Sequence, residues 1–237
     1  MKYKYETVLL KLSGEALKGD SEVYDKKCLE NICSQIVELA KNGLKLAIAV
    51  GGGNIWRGKL GQDIGMPQIN ADYMGMMATV MNGIALESTI RSLGYDKVNI
   101  YSSLPIKTVT DDYNFKKARI KMSEGYIAIF VGGTGYAHFT TDTNATIRAY
   151  EIGADVILMA KNGVKGLFDK DPKTNKDAKF IDKITHEELV VKQLRVMDLT
   201  AATLAKDAKL KIEIFDMSGE NNIVKVLQNK LESTIIE

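Results

Sequence analysis

Glu6-Thr-Val-Leu-Leu-Lys-Leu12 runs directly into Ser13-Gly14. The run reads as a buried strand, yet Lys11 stands at its tip, where apolar residues should continue. Desolvating an ammonium is costly unless an anion meets it. Lysine and small-residue turn together point to a bound anion; a lysine reaching solvent from a strand end is the plainer alternative. The pattern recurs. Leu44-Lys-Leu-Ala-Ile-Ala-Val50 leads into Gly51-Gly-Gly-Asn54, and Tyr126-Ile-Ala-Ile-Phe-Val131 leads into Gly132-Gly-Thr-Gly135. Three apolar strands that each deliver a glycine turn predict the carboxyl edge of a parallel sheet, where open α/β folds bind ligands.

Outward from these strands, helical and strand periods alternate along the chain. Leu29, Ile32, Cys33, Ile36, Val37 and Ala40 recur at helical spacing, with Gly43 as a stop. Further helices are expected over about 71–93, 114–124, 142–152, 185–192, 199–209 and 222–229. Strands are expected near 97–101, 155–160 and 211–215, with a short one at the end. The polar segment 169–179 reads as an exposed loop. Met74, Met77 and Met81 share one face of the long helix, which suits core or subunit packing better than a ligand. With no linker or repeat, this is one domain over 1–237, of α/β class: an α/β/α sandwich with a mostly parallel central sheet.

Bulk numbers narrow the function. With 45% hydrophobic and 26% charged residues the chain has an ordinary globular composition, and a net charge of +2 does not advertise nucleic-acid binding. Cys28 and Cys33 lack zinc-finger spacing and suit idle thiols in a reducing compartment. No apolar run reaches membrane-spanning length and no secretory leader follows Met1, so a cytoplasmic location is expected.

The P-loop pattern is absent, and the dinucleotide pattern fails at both glycine clusters. Phosphate would instead be held by backbone N–H groups of several glycine turns and by helix N-termini. Arg57, just beyond the triple glycine, is a candidate phosphate cation or a solvated arginine. Asp72 opens the long helix as a cap, or receives sugar hydroxyls. Asp142 and Asp198 each precede or begin a helix and are either caps or site carboxylates. His138 has no carboxylate partner at a telling spacing, which weakens it as an acid–base group.

The combined motifs Leu10-Lys-Leu-Ser-Gly-Glu-Ala16, Gly51-Gly-Gly-Asn-Ile-Trp-Arg-Gly58, Asp72-Tyr-Met-Gly-Met76, Ala78-Thr-Val-Met-Asn-Gly83, Gly133-Thr-Gly135 with Phe139-Thr-Thr-Asp142, and Val196-Met-Asp-Leu199 resemble the bacterial uridylate (UMP) kinases of the amino acid kinase family. The resemblance implies the amino acid kinase fold and transfer of the γ-phosphoryl of ATP to UMP, with Mg²⁺ as cofactor. It implies that Lys11, Leu12, Ser13, Gly14, Gly53, Arg57, Asn162, Phe168 and Asp171 face ATP. Gly52, Asp72 and the run Gly133, Thr134, Gly135, Tyr136, Ala137, His138, Phe139 and Thr140 would face UMP. Lys11, Arg57 and Asp198 would be catalytic, and the ligands of Mg²⁺ stay open. UMP would sit mainly on residues 1–150, ATP mainly on 151–237 plus the Lys11 turn. A homohexamer and inhibition by UTP are also implied. Gly19-Asp-Ser-Glu-Val-Tyr-Asp25 lacks the second glycine of the stretch tied to GTP activation, which counts against that response.

The inventory suits this chemistry. A phosphate acceptor has its second pKa at about 6 and needs no strong base; the task is to bring two anions into line, which cations and backbone N–H groups serve. Two rivals stay open: a kinase of the same fold acting on a carbamate or acyl amino acid, and a nucleotide-binding protein without turnover. The failed dinucleotide pattern weakens a dehydrogenase reading.

Overall fold

In a computed structural model, residues 3–170, 174–191, 194 and 196–237 are described. The elements follow in chain order: β1 (Thr7–Leu12), α1 (Lys26–Lys41), β2 (Lys45–Val50), α2 (Gly58–Asp63), α3 (Gln68–Ser92), β3 (Val98–Ser102), β4 (Asp111–Asp112), α4 (Phe115–Ser123), β5 (Ile127–Val131), α5 (Thr141–Ile152), β6 (Val156–Lys161), β7 (Leu167–Phe168), β8 (Phe180–Ile181), β9 (Lys183–Ile184), α6 (His186–Val191), α7 (Leu199–Asp207), β10 (Lys211–Asp216), α8 (Asn222–Leu227) and β11 (Ser233–Ile236). Nine strands form one sheet in the order β4-β3-β5-β2-β1-β6-β10-β11-β9. Among the described residues only the β10–β11 pairing in it is antiparallel. β7 and β8 form a separate antiparallel pair at the base of the expected loop.

Strand alternation divides the core between the two faces of the sheet. Val8, Leu10 and Leu12 of β1 join Val156, Leu158 and Ala160 of β6 on the face covered by α1, α3 and α8. Leu9 of β1 and Ile157 and Met159 of β6 pack on the opposite face with Ala145, Ala149 and Ala205 of α5 and α7. The same parity places Lys11 and Lys161, at the carboxyl ends of two paired strands, on the α5/α7 face. From β1 the chain turns toward β2, and from β6 toward β10, on opposite sides. The carboxyl ends of β1 and β6 therefore flank a topological switch point, where open α/β sheets form their crevice.

The long helix starts earlier than its apolar pattern suggested, at Gln68 behind Pro67, so Asp72 lies in its second turn and is not a cap. Met74, Met77 and Met81 are exposed, which corrects the core reading of that face and leaves subunit packing open. Both cysteines are free, Cys33 buried and Cys28 half-buried.

Candidate active site

Three glycine turns meet at this sheet edge, held by side chains the motifs contain. A Cβ on Gly14 would come within 2.4 Å of Asn54 Oδ1 and 2.8 Å of the Gly51 carbonyl, so the first turn is glycine because the second packs on it. A Cβ on Gly52 would meet Ala78 and the Gly75 carbonyl at 2.8 Å, so Gly52 lets α3 approach. Two of the three turns' glycines are thus fixed by packing. Gly53 differs: only Glu15 comes within 4 Å of its Cβ position, at 3.8 Å, and that side is open to a ligand. Asn82, fully buried in α3, donates to the Gly51 carbonyl (2.6 Å) and to Asn54 Oδ1 (2.7 Å). In the third turn Gly132 donates its N–H to Thr79 Oγ1 at 2.8 Å.

The cations come next. Lys11 Nζ lies 2.7 Å from Asp142 Oδ1, both side chains largely enclosed. Lys161 Nζ donates to the Val196 carbonyl at 3.0 Å. Burial lowers its pKa, the nearby Lys11 ammonium lowers it further, and Asp142 opposes both. Lys11, Asp142 and Lys161 are therefore one electrostatic cluster. Arg57 is held by Glu15 Oε1 (2.5 Å) and the Gly53 carbonyl (3.3 Å) while staying mostly exposed. That hydrogen bond holds the Glu15 carboxyl below the usual carboxylate range, against a smaller opposing effect of burial.

Asp198 caps α7, accepting from Ala201 N at 2.9 Å, so its cap reading holds. It also receives the hydroxyls of Thr140 and Thr143, the former in a short hydrogen bond. Thr140, not Asp142, caps α5. Two helix N-termini thus converge beside the lysines, adding positive potential. Asp142 and Asp198 line one cavity of about 680 Å³.

Opposite lies a cavity of about 250 Å³ that gathers Gly52, Gly53, Asp72, Gly133, Tyr136, Phe139 and Thr140. Asp72 accepts from Gln68 Nε2 (2.6 Å) and from the His138 backbone N–H (2.8 Å). His138 contributes that N–H from a left-handed backbone (φ 69°), while its side chain is exposed. Thr134 and Gly135 line a neighbouring cavity of about 570 Å³ on the other side of the turn. Ala137 sits between Tyr136 and His138 and lines neither cavity wall.

The remaining expected ATP residues are more dispersed. Leu12 is buried, so only its backbone faces the rim. Ser13 is half-buried. Asn162 is exposed directly after Lys161, and Phe168 packs edge-on against Phe180 with centroids 5.4 Å apart. Asp171 lies outside the described residues. Sequence reasoning gave no role to Lys161 or Trp56. Lys161 carried a legible signal, the same apolar strand ending in lysine that marked Lys11. Trp56 donates Nε1–H to the Ala71 carbonyl at 2.9 Å and walls the smaller cavity. Among the described residues no three His, Cys, Asp or Glu side chains cluster as metal ligands. No described helix is long and apolar enough to cross a membrane.

A family model, the amino acid kinase family, matches residues 6–216. The uridylate kinase of Mycoplasma capricolum is 81% identical over all 237 residues and 100% of both chains. That of Mesoplasma florum is 76% identical with the same coverage. Among solved structures, UMP kinase from Ureaplasma parvum superposes with a TM-score of 0.94 at 36% identity, covering 100% of both chains.

Proposed function

This chain belongs to the amino acid kinase family, and we propose that it transfers the γ-phosphoryl group of ATP to UMP, giving UDP and ADP. One observation carries the assignment beyond the likeness to uridylate kinases. The Lys11–Asp142–Lys161 cluster stands at the carboxyl ends of β1 and β6 and the Asp72 cavity at those of the neighbouring β2 and β5, along one sheet edge, so donor and acceptor phosphates can meet there. Residues 1–150 supply most of the UMP site. Residues 151–237, with the Lys11 turn, supply most of the ATP site.

UMP enters the smaller cavity, with Asp72 on its ribose hydroxyls and the 133–140 turn around its base and phosphate. The carboxylate retains accepting capacity beside its two present donors. Lys11, Ser13, Gly14, Gly53, Arg57 and Lys161 gather around the ATP polyphosphate, with Asn162, Phe168 and Asp171 toward the nucleoside. Phosphoryl transfer asks for alignment and charge neutralisation more than for a base. Asp198 orients Thr140 and Thr143, fixing the end of the acceptor turn to α7.

Mg²⁺ typically uses one or two carboxylates plus substrate phosphates and retains several waters. Asp142 and Asp198, two hard oxygen donors on one cavity wall, fit that demand and would hold it. When bound, it supplies charge neutralisation on the transferred group.

The exposed apolar stripe of α3 (Tyr73, Met74, Met77, Met81, Ile84) supports assembly through this helix, consistent with a homohexamer. Inhibition by UTP fits a pocket shaped for a uridine nucleotide, activation by GTP is not expected, and the enzyme works in the cytoplasm. The test is coupled ADP release against UMP, CMP, carbamate and an acyl amino acid. UMP-dependent turnover that Lys11→Ala abolishes is expected; preference for a carboxylate or carbamate acceptor would overturn the assignment.

A further inference from the structure

Arg148 is buried and lines the same cavity as Thr134 and Gly135 of the acceptor turn, apart from the cavities that gather Asp72 and Asp198. It projects from α5, and its hydrogen bonds go to protein groups. Nη1 lies 2.8 Å from Glu151 Oε2, and Nη2 donates to Ser103 Oγ at 2.7 Å. The guanidinium carbon sits 3.6 Å from the centre of the Tyr113 ring. Tyr113 donates its hydroxyl to the same Glu151 carboxylate and packs edge-on against Phe130 of β5, centroids 5.6 Å apart. Ser103 passes the chain on, donating its hydroxyl to the Gly133 carbonyl at 2.9 Å.

We propose that Arg148 is a positioning residue for the acceptor nucleotide: through Ser103 it fixes Gly133 and, with it, the wall of the UMP pocket. This rests on the kinase reading above. The turn needs an outside restraint, because Gly132, Gly133 and Gly135 adopt φ of 75°, 55° and 85°, and glycine backbone has little stiffness of its own. The turn already leans on the braced residue, since a Cβ on Gly135 would lie 3.3 Å from Ser103. The brace also ties the two ends of the acceptor segment, β5 before it and α5 after it. A core of these elements held by apolar packing alone would not need a desolvated charge there. The planar five-donor guanidinium suits the task, serving Glu151 and Ser103 at once while stacking on Tyr113.

Two variants test this. Ser103→Ala removes the link and leaves the Arg148–Glu151 pair intact. Arg148→Lys keeps the charge and loses the fork. Each is expected to raise KM for UMP about tenfold, with KM for ATP changed less than about twofold. The double variant should be no worse than the worse single one, because both cut one chain. UMP titration followed by fluorescence of Trp56, the sole tryptophan, reports the binding loss without turnover. Equal rises in both KM values, or an unchanged UMP affinity in Ser103→Ala, would overturn the proposal, and Ser103→Ala decides it even where Arg148→Lys fails to fold. Absence of UMP-dependent turnover in the unaltered protein would instead strike the kinase reading.

Discussion

Replacing Asn82 by leucine keeps the branched outline of the side chain, adds volume at a fully buried site, and removes every hydrogen bond the amide makes. Three bonds join that side chain to the glycine turns. It donates to the Gly51 carbonyl at 2.6 Å and to Asn54 Oδ1 at 2.7 Å, and accepts from Asn54 Nδ2 at 3.1 Å. Asn54 Nδ2 retains the Val23 carbonyl at 3.0 Å, so the donor side is half covered. The Gly51 oxygen and Asn54 Oδ1 lose the amide that bonds them. A buried polar group left unsatisfied costs about 1–3 kcal/mol, and leucine in place of the amide recovers part of it through apolar burial. The net loss is about 2–4 kcal/mol. At about 2–4 °C per kcal/mol for a chain of this size, Tm should fall by about 5–15 °C in thermal unfolding followed by circular dichroism. Because Gly51 lies between the Lys11 turn and the acceptor cavity, KM should rise for both nucleotides. Asn82→Asp, with acceptors where donors are required, should be at least as damaging. A leucine variant within about 1 °C of the parent, with unchanged kinetics, would refute the claim that this amide organises the turns.

Four further outcomes are expected. Lys161→Gln should lower kcat for ADP release by about 100-fold, as loss of one preorganised charge stabiliser commonly does; parental kcat would remove Lys161 from the mechanism. Glu15→Gln should lower KM for ATP about two- to threefold, since an exposed ion pair competes only weakly for Arg57; a rise would show that Glu15 aids binding. Burial, only partly opposed by the Leu210 carbonyl, depresses the pKa of His186, so the folded chain binds this proton less readily than the unfolded one. Its stability contribution is complete above the unfolded value of about 6.5 and is lost as pH falls through the depressed folded value; urea midpoints between pH 5 and 8 should show that slope, and His186→Gln should flatten it. Burial pushes the Cys33 thiol up to about 12 and raises Cys28 as well, so a thiol reagent should label Cys33 only on unfolding and Cys28 slowly. Two fast equivalents in the native protein would contradict this.

The fold was legible because its strands are apolar on both faces and its helices on one. The runs ending at Leu12, Val50 and Val131 stand within a residue of the observed strands, and the apolar spacing from Leu29 to Ala40 lies inside α1. What escaped has little local signal. β4, β7, β8 and β9 are two residues each and exist through their pairing partners, not through a pattern of their own. α2 begins with a glycine and follows the triple-glycine turn, so propensity argues against it. At the site, residues in glycine motifs were visible and those acting across elements were not. Asp142 looked like a cap because it stands at a helix start, while one residue pair earlier Thr140 does the capping and frees Asp142 for Lys11. Arg148 resembled any arginine on a helix, because its partners Ser103 and Tyr113 lie far back in the chain.

In the free chain the named rim cations already have internal acceptors: Lys11 has Asp142, Arg57 has Glu15, and Lys161 has the Val196 carbonyl. On the proposed kinase reading, polyphosphate would therefore exchange partners with the protein and not simply fill vacant donors. Its affinity would then be a difference between two sets of charge-assisted contacts. The three exchanges are unequal. Glu15 is exposed enough for water to replace Arg57, so that cation is released readily. Lys11 and Asp142 are largely enclosed, and Lys161 is destabilised by Lys11 in the same enclosure, so a phosphate arriving there relieves a repulsion that Asp142 only partly offsets. The enclosed pair should consequently contribute more to holding the transferred group than the exposed arginine does. The ordering follows from burial, since the same charge acts more strongly where water is excluded.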